Sequence, residues 1–263
     1  MENSNATSQV ILDDNLAYRE GPIGNKLEQL VEDVSEMRPI SHILAKSFID
    51  SAKRGVLLFM QNQNVNFNLG GIYAVKHSLL KNICDLMNDI KATYLTFTFV
   101  QIDPRDSRLR LTPNSENKMI YMVASLQTEG KNTIDEHNYL IINAKQDLSL
   151  KDLKISDENV KALNDFYLKN GHQVLTNYLG RNNTFYISYH IVDLIDTLSK
   201  DDSETFIINL CEISDVKKVV FENNLGDKFR EDQYNRHFET HEKQMTLVFS
   251  TDEGYYDMGS LYP

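Results

Sequence analysis

His237 and His241 stand four residues apart in the stretch HFETHE. On a helix that spacing brings two imidazoles to one face, a common start to a zinc site. Glu239 lies between them and Glu242 follows. The zinc-protease pattern requires glutamate directly after the first histidine; Phe238 holds that place, and no third ligand is evident. The competing reading, a solvated helix in a polar insertion, is the one favoured. A second cluster is DPRDSRLR. On a strand Arg108 and Arg110 share a face, with Arg105 in the adjoining turn. Guanidinium groups so placed hold phosphate or carboxylate by paired hydrogen bonds. Against this, Leu109 and Leu111 fit an inward face and the arginines a wet one, and Asp103 and Asp106 partly neutralise them.

Tyr and His recur four apart, as Tyr73 with His77 and as Tyr186 with His190. Both histidines fall near predicted helix starts, where the positive end of the helix disfavours imidazolium. Neutral rings bonded to backbone or to a neighbour are expected. Cys84 and Cys211 are far apart, form no C-x-x-C and have no basic neighbour to activate a thiolate, so buried reduced thiols are expected. The sequence contains no Walker A pattern, no G-x-S-x-G, no dinucleotide glycine fingerprint and no H-E-x-x-H.

The elements that would position these residues are legible in part. Residues 1–24 are polar and read as a mobile tail. Leu27, Leu30, Val31, Val34 and Met37 keep helical spacing after Asn25, and Pro39 stops that helix. Ser41 caps a helix through Arg54 with the stripe Leu44, Phe48, Ile49 and Ala52, closed by Gly55. Val65, Phe67 and Leu69 alternate with Asn, so a short edge strand competes with a loop there. A helix spans about 76–90, then the strands YLTFTFVQI, one around Leu109, MIYMVASL and YLIINA. Ser156 caps a helix through Lys169, closed by Gly171. TFYIS, a helix at 189–198, the strand TFIINLCEI, a further strand at VKKVVF, a polar insertion, the strand MTLVFST and a Tyr-rich tail complete the chain.

The order repeats. Superposing the two Tyr-His pairs needs a shift of 113 residues, which lays Leu80 on Asp193. A shift of 112 instead lays Leu79 on Ile191, Leu80 on Val192, Ile83 on Ile195 and Leu86 on Leu198. Burial orients helices more strongly than one polar match, so the Tyr-His repeat is read as coincidence. In the following strand Phe97, Phe99 and Gln101 meet Ile208, Leu210 and Glu212, and KMIYMVAS from Lys118 lies over KQMTLVFS from Lys243. The fold class expected is therefore α+β: antiparallel sheets with helices packed on one face, and a tandem duplication of a helix–helix–strand–strand unit over 25–145 and 146–263.

Phe185, Ile187, the stripe Ile191, Val192, Ile195 and Leu198, and the strand pair after them, resemble small α+β proteins of Bacteroidetes-type bacteria to which no activity is attached. The resemblance covers the second half of the chain and implies a bacterial soluble protein. It transfers no catalytic residue.

The 263 residues carry a formal charge of −11. That balance disfavours nucleic acid and anionic membrane surfaces, which need clustered Lys and Arg. It suits a basic protein partner, or plain solubility. The opening residues lack the basic and apolar segments of a signal peptide, no stretch is long enough to span a bilayer, and a cytoplasmic location is expected. The function expected is a non-catalytic binding or interaction protein with an acidic surface, using a protein partner or self-association. Two alternatives stand beside it. One is an enzyme or small-ligand sensor, metal-assisted with zinc at His237 and His241 or using the arginines at 105–110. The other is a structural subunit of a larger assembly.

Overall fold

The computed structural model describes residues 38–102, 118–130, 132–141, 149–200, 203–225, 238, 240–252, 254–257 and 260–262. The elements run β1 (Arg38–Ile40), α1 (His42–Arg54), α2 (Val56–Asn62), β2 (Val65–Phe67), a 3-10 turn (Asn68–Gly71), β3 (Ile72–Lys76), α3 (His77–Ile90), β4 (Tyr94–Gln101), β5 (Lys118–Gln127) and β6 (Thr133–Ile141). The second half gives α4 (Leu150–Leu153), β7 (Lys154–Ile155), α5 (Asp157–Lys169), α6 (Gly171–Leu179), β8 (Tyr186–His190), α7 (Ile191–Ser199), β9 (Thr205–Glu212), α8 (Val216–Glu222), β10 (Met245–Ser250), β11 (Tyr255–Asp257) and β12 (Ser260–Tyr262). Among the described residues no helix is long and apolar enough to cross a membrane.

The fold is α+β. The first sheet has the order β1-β11-β10-β9-β3, the second β12-β8-β4-β5-β6-β7. Pairing is antiparallel except where β2 joins β5 in parallel; the short-strand reading of Val65 and Phe67 holds. The sheets meet face to face. Alternation along β4 sends Leu95, Phe97 and Phe99 into the shared core, and alternation along β10 sends Met245, Leu247 and Phe249 there. Phe249 lies 4.9 Å from Tyr189 and 6.2 Å from Phe97, ring centre to ring centre, which ties one sheet to the other. On the outer face of the first sheet, Leu44, Ala45 and Phe48 of α1 pack with Cys211, Val248 and the α8 valines. On the outer face of the second, Leu163 of α5 packs with Val100, Val123 and Leu140.

The halves do not form separate sheets. β3, from the first half, pairs with β9, and β8, from the second, pairs with β4. Each half thus lends a strand, β3 or β8, to the sheet whose central strands come from the other. The register reveals an internal twofold relation. Ile72 faces Asn209 and Lys76 faces Thr205; in the other sheet Tyr186 faces Thr98 and His190 faces Tyr94. These pairs map onto each other if 72 answers to 186 and 98 to 209, shifts of 114 and 111. Pairing of β4 with β5 and of β9 with β10 maps likewise with Lys118 over Lys243. The strand correspondences read from sequence match these registers, whereas the helix shift of 112 is corrected to 114. Val192 is 62% exposed and Ile195 40%; the buried line of α7 is Ile191, Leu194 and Leu198.

Three further expectations change. VKKVVF is helix, because Val216, Val219 and Val220 keep helical spacing and the Asp215 carboxylate accepts from Lys218 N at 3.0 Å as an N-cap. Gly171 opens α6 rather than closing α5. The Tyr-rich end supplies a strand to each sheet, β11 to the first and β12 to the second. The caps Ser41 and Ser156 stand where expected.

α1 and α5 each give way to a second helix against the end of a strand from the opposite half. Between α1 and α2, Val56 N–H donates to Glu212 Oε2 at 2.7 Å; between α5 and α6, Gly171 N–H donates to Gln101 Oε1 at 3.1 Å. Glu212 and Gln101 are the last residues of twofold-related strands. A Cβ on Gly55 would sit 2.3 Å from Glu212 Oε2 and 2.5 Å from Tyr178 Oη. Gly55→Ala is therefore expected to lower the unfolding free energy by about 2 kcal/mol, the ordinary cost of overpacking. A urea melt at neutral pH within 0.5 kcal/mol of wild type, on that same ordinary scale, would refute the clash.

Candidate functional site: a polar groove on the second sheet

The outer face of the second sheet is divided. Antiparallel register places Val100, Val123 and Leu140 under α5, where they are buried. One row further along, Ser188, Thr96, Ser125 and Asn138 stand side by side on β8, β4, β5 and β6. The row is buried, yet α5 does not pack tightly onto it: Asp157, Val160, Lys161 and Asn164 of α5 form one wall of a gap above it. What remains is a groove of about 450 Å³ whose lining includes Thr96, Thr98, Ser125, Gln127, Asn138 and Asp157, with Phe185 and Tyr186 at its side.

The row is cross-linked. Thr96 Oγ1 and Ser188 Oγ lie 2.7 Å apart. Ser125 Oγ–H donates to Asn138 Oδ1 at 2.6 Å, and Asn138 Nδ2–H donates to Asp157 Oδ1 at 2.6 Å. Glu136 N–H also donates to Asp157, at 3.1 Å to Oδ2. Glu136 adopts a left-handed φ of 62° in the irregular stretch where β6 slips register against β5 between Ser125 and Gln127. That excursion carries Asp135, an exposed carboxylate, to the groove lining. Lys161 also lines the groove and is bound to Asp165 at 2.8 Å. Gln127 is 9% exposed, and its Oε1 accepts no hydrogen bond from the described residues; the same holds for Asn164 Oδ1.

The twofold relation supplies an internal comparison. The row Ser188, Thr96, Ser125 answers, in the first sheet, to Ala74, Ile207 and Ser250. The architecture tolerates apolar residues at these places.

Of the residues singled out in the sequence, Tyr186 lines the groove. Arg105, Arg108, Arg110 and His237 fall outside the described residues, as do the 1–24 tail and the helix expected after Asn25. His241 is half-buried in the turn before β10, its Nδ1 2.9 Å from Thr240 Oγ1. Among the described residues no group of three or more His, Cys, Asp or Glu is placed to hold a metal ion. His77 Nε2 is 2.8 Å from the Leu198 carbonyl oxygen, and His190 Nδ1 accepts from Val192 N–H at 3.2 Å as the cap of α7. Both histidines are thus bonded to backbone, as expected. Cys84 and Cys211 are free and buried. Burial, then the neighbouring Asp85, pushes the Cys84 thiol up to about 12; burial, then Asp257, raises that of Cys211. Neither is a thiolate near neutral pH.

Compared with protein-family models, curated proteins and solved structures, the chain matches none.

Proposed function

We propose that this chain is a non-catalytic binding protein and that the groove on the second sheet holds a small polar ligand. The observation that carries the reading is the contrast across the internal twofold. One sheet places Ala74 and Ile207 where the other places Ser188 and Thr96, which bond each other beside the chain of bonds from Ser125 through Asn138 to Asp157. Buried polar groups cost stability unless bonded, and the scaffold does not demand them here, so their presence calls for a use outside folding. Pre-organised polar groups beside an aromatic wall are the usual make-up of a small-molecule site. The described lining includes neither His nor Cys, and its hydroxyls on Thr96 and Ser125 are held in hydrogen bonds, which suits recognition rather than bond making.

Thermal-shift measurements with a panel of amino acids, amines, sugars and nucleosides test the reading. At least one compound raises the Tm of the full chain. Thr98→Trp, built from a half-buried position on the lining, abolishes that response while circular dichroism stays native. A panel without a single shift, or a Thr98→Trp variant that responds like wild type, overturns it.

A further inference from the structure

Resting on the reading above, the geometry points to an alkylammonium group as the ligand chemistry: we propose that the groove binds a small organic amine through Asp157, Asp135 and the orphan carbonyl of Gln127.

The argument follows the direction of the hydrogen bonds. Ser125 spends its proton on Asn138, and Asn138 spends an amide proton on Asp157. Thr96 and Ser188 share a bond in which one hydroxyl proton is consumed. Two donors of the row, Ser125 Oγ–H and one Asn138 amide N–H, are thus spent within it; the lining hydroxyls of Thr98 and Thr133 can donate or accept, and the carboxylates can only accept. A hydroxyl or carbonyl that takes part in one bond keeps lone pairs for another. To this the groove adds two carboxylates, Asp135 and Asp157. The cation in the lining, Lys161, is engaged by Asp165. Two further acceptors, Gln127 Oε1 and Asn164 Oδ1, are buried without a partner among the described residues. A buried unpaired acceptor costs about 1–3 kcal/mol by general experience, so a ligand that supplies a donor is recognised strongly. A site rich in acceptors and negative charge selects a ligand rich in N–H donors and positive charge. Phe185 and Tyr186, 5.0 Å apart in an edge-to-face pair, give the wall an aromatic surface that favours a cation as well. A neutral polyol would meet the hydroxyls but leave the carboxylates without a counter-charge. A phosphate would be repelled by both.

An alkylammonium has two sources, a free amine and a lysine side chain of another protein. Titration calorimetry on the full chain separates them, with putrescine as the free diamine, N-acetyl-lysine methylamide as the side-chain mimic and 1,4-butanediol as the uncharged counterpart of putrescine. The expected result is binding of at least one amine and none of the diol. Asp157→Asn is expected to weaken that binding at least about tenfold, the scale of one lost charge-assisted contact. Because Asp157 also anchors Asn138, the exposed Asp135→Asn serves as the second variant, and loss of affinity there supports the same site. Preference for putrescine assigns the free amine, preference for the lysine mimic a protein partner, and either supports the proposal. Equal binding of the diol, or amine binding unchanged in both variants, overturns it. Failure of both amines with retention of a panel compound blocked by Thr98→Trp overturns the amine assignment and leaves the groove as a site. Failure of every compound overturns both.

Discussion

Replacing Phe249 by Ala is expected to remove about 3–5 kcal/mol of unfolding free energy, the range for deleting a fully buried phenylalanine. Its ring is completely buried and touches both sheets, lying 5.5 Å from Phe206 of its own sheet and 4.9 Å from Tyr189 of the other. The position related to it by the internal twofold is Ala124, also buried. One large ring therefore fills the centre that two medium side chains would share in a symmetric molecule, and no neighbour of matching size can move in. Because β3 and β8 are exchanged between halves, a defect at this centre loosens both sheets at once. Urea unfolding followed by far-ultraviolet dichroism and by tyrosine fluorescence should give one shared midpoint, displaced for the variant. A loss below about 1.5 kcal/mol, well under the usual range for such a deletion, would show that the core relaxes around the hole. Two separated transitions would show that the halves unfold independently and would sink the account of exchange.

The strands that build this centre were legible because alternation has one phase per buried face. Phe97 over Ile208 and KMIYMVAS over KQMTLVFS already gave the correspondences that the sheet registers repeat. The helix was not legible in the same way. α7 is apolar on most of its circumference, so Ile191, Val192, Ile195 and Leu198 and the line Ile191, Leu194, Leu198 both satisfy helical spacing. Pattern cannot choose between two apolar faces; packing against α3 does. α8 misled for a related reason: valine favours strands on average, but spacing and the Asp215 cap overrode propensity.

The groove was visible only in fragments. Thr96 and Thr98 alternate with Leu95, Phe97 and Phe99, which marks a polar face, and Ser125 falls on the matching face of β5. That the face is deep, and that α5 packs closely on its apolar half but leaves a gap over the polar one, depends on pairings among four strands and on a helix that starts beyond Ser156. Asp157, next after the Ser156 cap, has the sequence signature of a favourable charge in the first turn of a helix, and nothing in that signature points to its second role as the acceptor of Asn138. The orphan oxygen of Gln127 has no sequence signature, since an amide in a strand reads as solvent-facing until its neighbours are known.

The second large effect concerns Glu212, whose carboxylate holds Val56 N–H and, at 3.0 Å from both oxygens, the Tyr178 hydroxyl. Burial is the main influence on it and raises its pKa above 4.5, opposed by those two donors. For an acid with a raised folded-state pKa the protonated form is favoured by folding. The associated stability is whole below about 4.5 and is lost as pH climbs through the folded value. Glu212→Gln removes this dependence, and the molecule shows that an amide can do the work, since Gln101 receives Gly171 N–H at the twofold-related place. The unfolding free energy of wild type minus that of Glu212→Gln should therefore fall from pH 4 upward and level off above the raised pKa. Glu212→Ala is expected to cost about 2 kcal/mol at any pH in that range, because two donors then lose their acceptor in a buried setting. Urea melts of the three proteins between pH 4 and 8 decide the matter. A difference between wild type and Glu212→Gln that stays level or grows with pH would mean that the carboxylate gains more from Val56 and Tyr178 than it loses by burial, and the strand-end clasp would then be an ionic contact rather than one that either a carboxyl or an amide can make.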